Sequence, residues 1–279
     1  MAITTGLGRL FTYNNRIVNK FSKILDQIAA RYSKQVWFLN ERDLNIFIDK
    51  GITTKEKTFL LPSEGIDLQK FQPSTINPNP DKTITFLFAG RIIWEKGIKE
   101  YVTAAKIIKE KYSNTKFQLL GFVDPSNPNS VPYQDIQDWQ RKNIITYLGE
   151  TEDVRPFLNK STCLIFPSFY NEGISRILLE AAAMAKPIIT TDNVGCRDVV
   201  KDNLNGFICH PKDIEDLVAK IEKFIKLSSE EKKEMGKNGR EVVLKNFDES
   251  IIIQKYIDLS LIHISSPRDQ RGSRMPSSA

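Results

Sequence analysis

Apolar and polar positions alternate along this chain in two registers. From Thr83 onward, short apolar runs of strand length are separated by longer stretches with apolar residues three and four apart. ITFLFAG (84–90) reads as a buried strand, followed by a helix over 97–112 (GIKEYVTAAKIIKEKY). FQLLG (117–121), IITYLG (144–149) and TCLIFPS (162–168) read as further strands. A helix over 174–185 (ISRILLEAAAMA), a strand KPIITT (186–191) and a last short strand NGFIC (205–209) complete the alternation. Strands alternating with helices imply right-handed crossovers and a parallel, doubly wound α/β sheet. Such sheets bind ligands beyond the carboxyl ends of their strands. The charged amphipathic stretches 213–226 and 229–246 predict two outer helices.

The first part has fewer elements. Residues 16–32 predict one basic amphipathic helix, QVWFLN (35–40) a strand, and ERDLNIFIDKG (41–51) a helix ending at Gly51. KTFLLPSEGID (57–67) reads as a strand and a turn. Two strands and two helices are too little for an independent Rossmann-like domain, so 1–70 reads as the back part of a domain whose front is absent. The proline-bearing stretch 71–83 reads as a linker, 84–246 as a ligand-binding domain and 247–258 as a C-terminal helix. After Asp258 the helical pattern is expected to stop. Residues 259–279 resemble translated sequencing-library adaptor, with CTG TCT CTT ATA CAC ATC encoding Leu259 to Ile264.

Composition narrows the classes. A hydrophobic share of 41% and a charged share of 27% are ordinary for a globular protein. No apolar run approaches the roughly 18 residues of a membrane span, and the N-terminus lacks signal-peptide order. Cys163, Cys196 and Cys209, without CxxC spacing, suggest reduced thiols in a cytoplasmic protein. With two histidines, a His-based metal site is not expected. The net charge of +6 suits phosphorylated ligands or anionic lipid, though lysines spread along helices also read as a solvated face. No zinc-finger or RNP pattern points to nucleic acid.

The candidate chemistry lies in two segments. In PSFYNEGISRILLEAAAMAKPIITTDNVGCRDVV (167–200), Glu172 lies on a strand-to-helix loop beside Gly173, and Glu180 lies about two turns into the helix. A carboxylate accepts hydrogen bonds from vicinal hydroxyls, so this spacing suits a sugar and a ribose in one extended ligand. Alone, two glutamates are solvated surface. Glu180, however, sits among apolar neighbours and needs a partner there. Free N–H groups around Ile174–Arg176 would suit a diphosphate. In FAGRIIWEKG (88–97), Gly90 ends a strand, Arg91 follows, and Lys96 precedes Gly97 at a helix start. These cations read either as a diphosphate clamp or as surface ion-pair partners.

In combination, FAGRIIWEKG, YLGETEDV, PSFYNEGISRILLEA, KPIITTDNVGCRDVV and NGF resemble the C-terminal domain of family-4 retaining glycosyltransferases, over about residues 6–258. The resemblance implies a GT-B architecture: a complete Rossmann-like domain on the C-terminal side and a partial one before it. It implies that Arg91, Lys96 and backbone near Gly173, Ile174 and Ser175 bind the donor diphosphate, next to Gly90. Glu180 would hold the ribose hydroxyls and Glu172 those of the transferred sugar, with Glu172, Arg91 and Lys96 serving catalysis. Phe122, Leu148 and Gly149 would flank the base. Ser175, where many members have proline, and the segments GLGRLF and LNERDLNIF resemble the branch acting on polyprenyl-linked sugars in capsule, O-antigen or protein-glycan assembly. A UDP-sugar donor, a polyprenyl-diphosphate-linked saccharide acceptor and metal-independent transfer follow from it. No DxD motif occurs. The family's N-terminal domain often supplies a catalytic histidine, and none precedes His210. The basic helix 16–32 either lies against anionic lipid, for peripheral attachment to the cytoplasmic membrane, or is an ordinary half-buried helix. A UDP-sugar 2-epimerase and a non-catalytic nucleotide-sugar-binding fragment stay open as alternatives. A dinucleotide oxidoreductase is disfavoured, since no GxGxxG follows the first strand of either half.

Overall fold

The computed structural model describes residues 2–4, 16–38, 41–61, 65–74, 83–170 and 173–264. Its centre is a six-stranded parallel sheet: β4 (Ile84–Ala89), β5 (Thr115–Leu120), β6 (Thr146–Tyr147), β7 (Cys163–Phe166), β8 (Ile188–Thr191) and β9 (Gly206–Cys209). The spatial order is β6-β5-β4-β7-β8-β9. The chain therefore winds outward one way from β4, returns to β7 beside it, and winds outward the other way. Every β4 and β7 residue is buried, as expected of central strands covered by helices on both faces.

Aromatic side chains fill that core. Phe86 packs on Phe117 at 4.9 Å between centroids, and Phe88 stacks on Phe166 at 5.5 Å. Tyr101 is fully buried, and its hydroxyl donates to the carbonyls of Gln118 at 2.8 Å and Phe86 at 3.2 Å. Burying each such ring stabilises by about 1.5–3 kcal/mol. Around the sheet lie α3 (Ile98–Lys111), α4 (Tyr133–Arg141), α5 (Arg155–Lys160), α6 (Arg176–Ala183), α7 (Val194–Arg197), α8 (Ile214–Lys226) and α9 (Ser229–Asn246). Asp213 starts α8 by accepting from the Asp216 amide, and Ser228 with Glu231 forms a full capping box on α9.

A second sheet precedes the first. It joins β1 (Ala2–Thr4), β2 (Val36–Phe38) and β3 (Thr58–Leu60) in parallel, in that order, with α1 (Arg16–Tyr32) and α2 (Glu41–Asp49) as crossovers. The sequence reading held two strands here. The third, β1, spans three residues, too few for any periodicity to register.

Other differences are equally physical. The strand expected over 144–149 keeps only Thr146–Tyr147 in the ladder, because β6 is an edge strand. Helices α4 and α5 were not expected. α4 buries only Ile136 and α5 only Leu158, so neither shows an apolar stripe. The helical pattern does not stop at Asp258. Helix α10 runs Glu249–Ile264, since Leu-Ile-His-Ile continues a helix without a breaker. Residues 265–279 lie outside the described residues.

The segment 65–71 binds the two parts together. Ile66 donates to the Phe247 carbonyl at 2.8 Å and accepts from the Glu249 amide at 3.2 Å. Leu68 and Phe71 are buried in the large core, and Arg240 donates to the carbonyls of Phe71 and Ala183. α10 then returns to the first sheet, where Tyr256 meets the buried Trp37 at 6.1 Å. No helix among the described residues is long and apolar enough to cross a membrane.

Lys186 caps the carboxyl end of α5, donating to the carbonyls of Asn159 at 3.1 Å and Ser161 at 3.0 Å. Burial pushes its ammonium pKa down to about 8 from 10.5. A lysine whose folded pKa is depressed costs stability below that value, and the cost vanishes as pH rises past the unfolded pKa. Lys186→Met removes this titration. The stability difference between variant and wild type is expected to move in favour of the wild type between pH 8 and pH 10.5, by up to about 3 kcal/mol. Urea unfolding of both proteins across that range checks it, and a pH-independent difference would refute it.

Candidate functional site

The winding reverses between β4 and β7, so their carboxyl ends open a crevice at the switch point. Beyond β4 the chain stays beside β5: the Gly90 amide donates to Leu120 O at 3.1 Å and the Ile92 amide to Phe122 O at 3.0 Å. This places a cleft of about 250 Å³ at the strand ends. It is lined by Ala89, Gly90, Arg91, Leu120, Gly121, Phe122, Glu150, Thr151, Val154, Ile177 and Glu180. A larger groove, about 720 Å³, lies between α3 and the end of α4. Its α3 residues run from Val102 to Glu110, toward the amino ends of the strands, away from the switch point.

Of the candidate residues, Gly90, Arg91, Phe122 and Glu180 share this cleft. Leu148 and Gly149 stand just outside its lining and act through backbone: Leu148 N–H donates to Leu119 O at 2.9 Å, and Gly149 O accepts from the Gly121 amide at 2.7 Å. Lys96 ends a 3-10 turn, Trp94–Lys96, and is only 4% exposed. Its ammonium lies against Phe166 and Tyr170, with Nζ 5.0 Å and 5.3 Å from their ring centroids. Gly173, Ile174 and Ser175 form the entry to α6. Ser175 is its N-cap residue but makes no side-chain capping hydrogen bond; its carbonyl accepts from the Leu178 amide at 3.0 Å, and its hydroxyl leaves the Arg176 and Ile177 amides to other acceptors. Glu172 lies outside the described residues.

Glu180 is where the sequence placed it, inside a helix buried at Ile177–Leu179 and Ala181–Ala183. Its partner is Arg176, one turn earlier, whose Nε donates to Oε1 at 3.1 Å. The Glu180 side chain is 14% exposed and that of Arg176 65%, so the pair sits at the cleft mouth. Burial raises the carboxyl pKa above its usual value, while the Arg176 hydrogen bond and the nearby charges of Arg176 and Lys70 pull it down. A carboxylate in this setting keeps an acceptor oxygen for ligand hydroxyls.

Several residues in or near the cleft escaped the sequence reading. Glu150, Thr151 and Val154 follow β6 in the segment YLGETEDV, where only Leu148 and Gly149 stand out from sequence. Lys70, near Glu180, comes from the segment read as the end of the first domain. Tyr170 is the least legible, because its contacts are with side chains from the β4 end.

Comparison with known proteins places this geometry. The family model described as Glycosyl transferases group 1 matches residues 70–242, more than half of the chain. A Campylobacter jejuni N,N'-diacetylbacillosaminyl-diphospho-undecaprenol alpha-1,3-N-acetylgalactosaminyltransferase is 27% identical over 92% of this chain and 69% of its own length. An Escherichia coli UDP-Gal:alpha-D-GlcNAc-diphosphoundecaprenol alpha-1,3-galactosyltransferase is 26% identical over 85% of this chain and 62% of its own length. The chain thus spans roughly two thirds of these relatives. Among solved structures, Anabaena HepE in complex with UDP superposes with a TM-score of 0.79 at 17% identity, covering 93% of this chain and 71% of that one. The fold is that of the GT-B glycosyltransferases. The chain belongs to the glycosyl transferases group 1 family.

Proposed function

We propose that this chain is the donor-binding part of a retaining glycosyltransferase that moves a hexose or N-acetylhexosamine from a UDP-sugar to a polyprenyl-diphosphate-linked saccharide. The observation that carries the reading is the switch-point cleft, where the Arg91 cation and the Glu180 carboxylate, from distant parts of the chain, open on one space. In this reading the ribose hydroxyls donate to Glu180, and the base lies toward Phe122 and the backbone of Leu148–Gly149. The diphosphate lies between Arg91, Lys96 and the start of α6. Glu172 keeps the role the resemblance gives it, accepting from hydroxyls of the transferred sugar. Negative charge grows on the leaving diphosphate, and fixed cations stabilise it. Two cations at one strand end supply that charge compensation, which supports transfer without a metal ion. The names of the Campylobacter and Escherichia relatives support an undecaprenol-diphosphate-linked acceptor in surface glycan synthesis. The α1 face exposing Ile24, Leu25 and Ile28, with basic Arg31 in its last turn, supports peripheral contact with a membrane on the cytoplasmic side.

Calorimetric titration with UDP, GDP and ADP tests the donor site. UDP is expected to bind best. Arg91→Ala and Glu180→Ala are each expected to weaken it by about ten- to hundredfold, the range of one lost charged hydrogen bond. Equal affinity for all three nucleotides would remove the uridine assignment, and unaltered binding in both variants would remove the site. Product analysis with a UDP-sugar, with and without lipid-linked saccharide, separates transfer from epimerisation.

A further inference from the structure

The loop after β7 carries a ring that the donor-site reading leaves without a role. Two cations face Tyr170. The guanidinium carbon of Arg91 lies 5.6 Å from its ring centroid, and Lys96 Nζ lies 5.3 Å from it. Like charges held near one point repel, and more strongly where water screens little, as around the buried Lys96. The negative face of an aromatic ring attracts both.

The backbone that carries the ring is anchored on two sides. The Tyr170 amide donates to Ser168 Oγ at 3.3 Å, and its carbonyl accepts from Asn193 Nδ2 at 2.8 Å. Asn193 is itself the N-cap of α7, its Oδ1 accepting from the Val194 amide at 2.9 Å. The Ser168 carbonyl accepts from Thr191 Oγ1. On the other side, the Phe169 amide donates to Glu95 O at 3.0 Å, next to Lys96. The Phe169–Tyr170 backbone therefore bridges the β8–α7 connection and the turn that carries Lys96.

We infer that Tyr170 is a positioning residue for the donor diphosphate: its ring face, rather than its hydroxyl, holds Arg91 and Lys96 converged before the nucleotide arrives. This rests on the reading of those two cations as diphosphate ligands. Phenylalanine at 170 keeps the face and deletes the hydroxyl. Leucine keeps an apolar side chain and deletes the face.

The test titrates the full chain with UDP and UMP in the wild type, Tyr170→Phe, Tyr170→Leu and Arg91→Ala. The ratio of UMP to UDP dissociation constants isolates the second phosphate, and a general loosening of the cleft would weaken both nucleotides alike. The wild type and Tyr170→Phe are expected to share one ratio, with Tyr170→Leu lower by about five- to tenfold. An unchanged ratio in Tyr170→Leu, or an equal loss in Tyr170→Phe, overturns the inference. A wild type without preference for UDP over UMP, or an Arg91→Ala that keeps the preference, overturns the donor-site reading, and does so before any Tyr170 variant is compared.

Discussion

Lys96→Met is expected to weaken UDP binding by about a hundredfold. The expectation follows from where the lysine sits. It is 4% exposed, on a turn at the carboxyl end of β4, with its ammonium against two aromatic rings. A charge in such surroundings is weakly screened, so its attraction for a bound diphosphate is larger than that of a surface lysine. Losing one such charge-assisted contact costs about 1.5–3 kcal/mol, and a hundredfold in affinity is about 2.7 kcal/mol. Calorimetry with UDP and thermal unfolding of the same two samples check it. A Lys96→Met protein that melts several degrees lower and binds UDP normally would make Lys96 a structural lysine.

The large sheet was legible for a physical reason. Runs such as ITFLFAG and TCLIFPS are buried on both faces, and a continuous apolar run of strand length between amphipathic stretches has few other readings. The alternation also implied parallel crossovers, and the structure has six parallel strands where the sequence reading placed six. Elements that bury little were not legible. α4 holds one buried residue, and β1 is three residues long. The end of α10 was misjudged because composition, rather than helix-forming ability, set the expected stop at Asp258. At the cleft, Arg91 and Glu180 were legible because each stands in a distinctive local segment. Tyr170 was not, since what distinguishes it is the adjacency of β4 and β7, which no stretch of sequence displays. The same holds for Lys70, which nears Glu180 only because the 65–71 segment is fastened to α9 and α10.

That adjacency also identifies a backbone position with no room to change. Gly97→Ala is expected to cost on the order of 2–5 kcal/mol, through two separable terms. Gly97 joins the Lys96 turn to α3 with φ +79 and ψ 28, a left-handed conformation that costs an alanine about 1–2 kcal/mol. A Cβ there would also overlap the carbonyl oxygen of Pro167 and lie 2.7 Å from its carbonyl carbon. The clash is with backbone at the end of β7, so no side-chain rotation relieves it, and overpacking of this kind adds about 1–3 kcal/mol or more. Gly149 supplies the control within the same domain: its φ is +78, and a Cβ there would meet nothing within 4 Å. Gly149→Ala should therefore carry the conformational term alone, about 1–2 kcal/mol. Denaturant unfolding of the two variants then isolates the overlap as their difference. Any surviving Gly97→Ala protein should also bind UDP more weakly, because relief comes only from moving the Lys96 turn away from the β7 end. Equal destabilisation by both substitutions would mean that the β4 and β7 ends can separate freely. The convergence of Lys96 and Arg91 on one ring would then not be enforced by the fold.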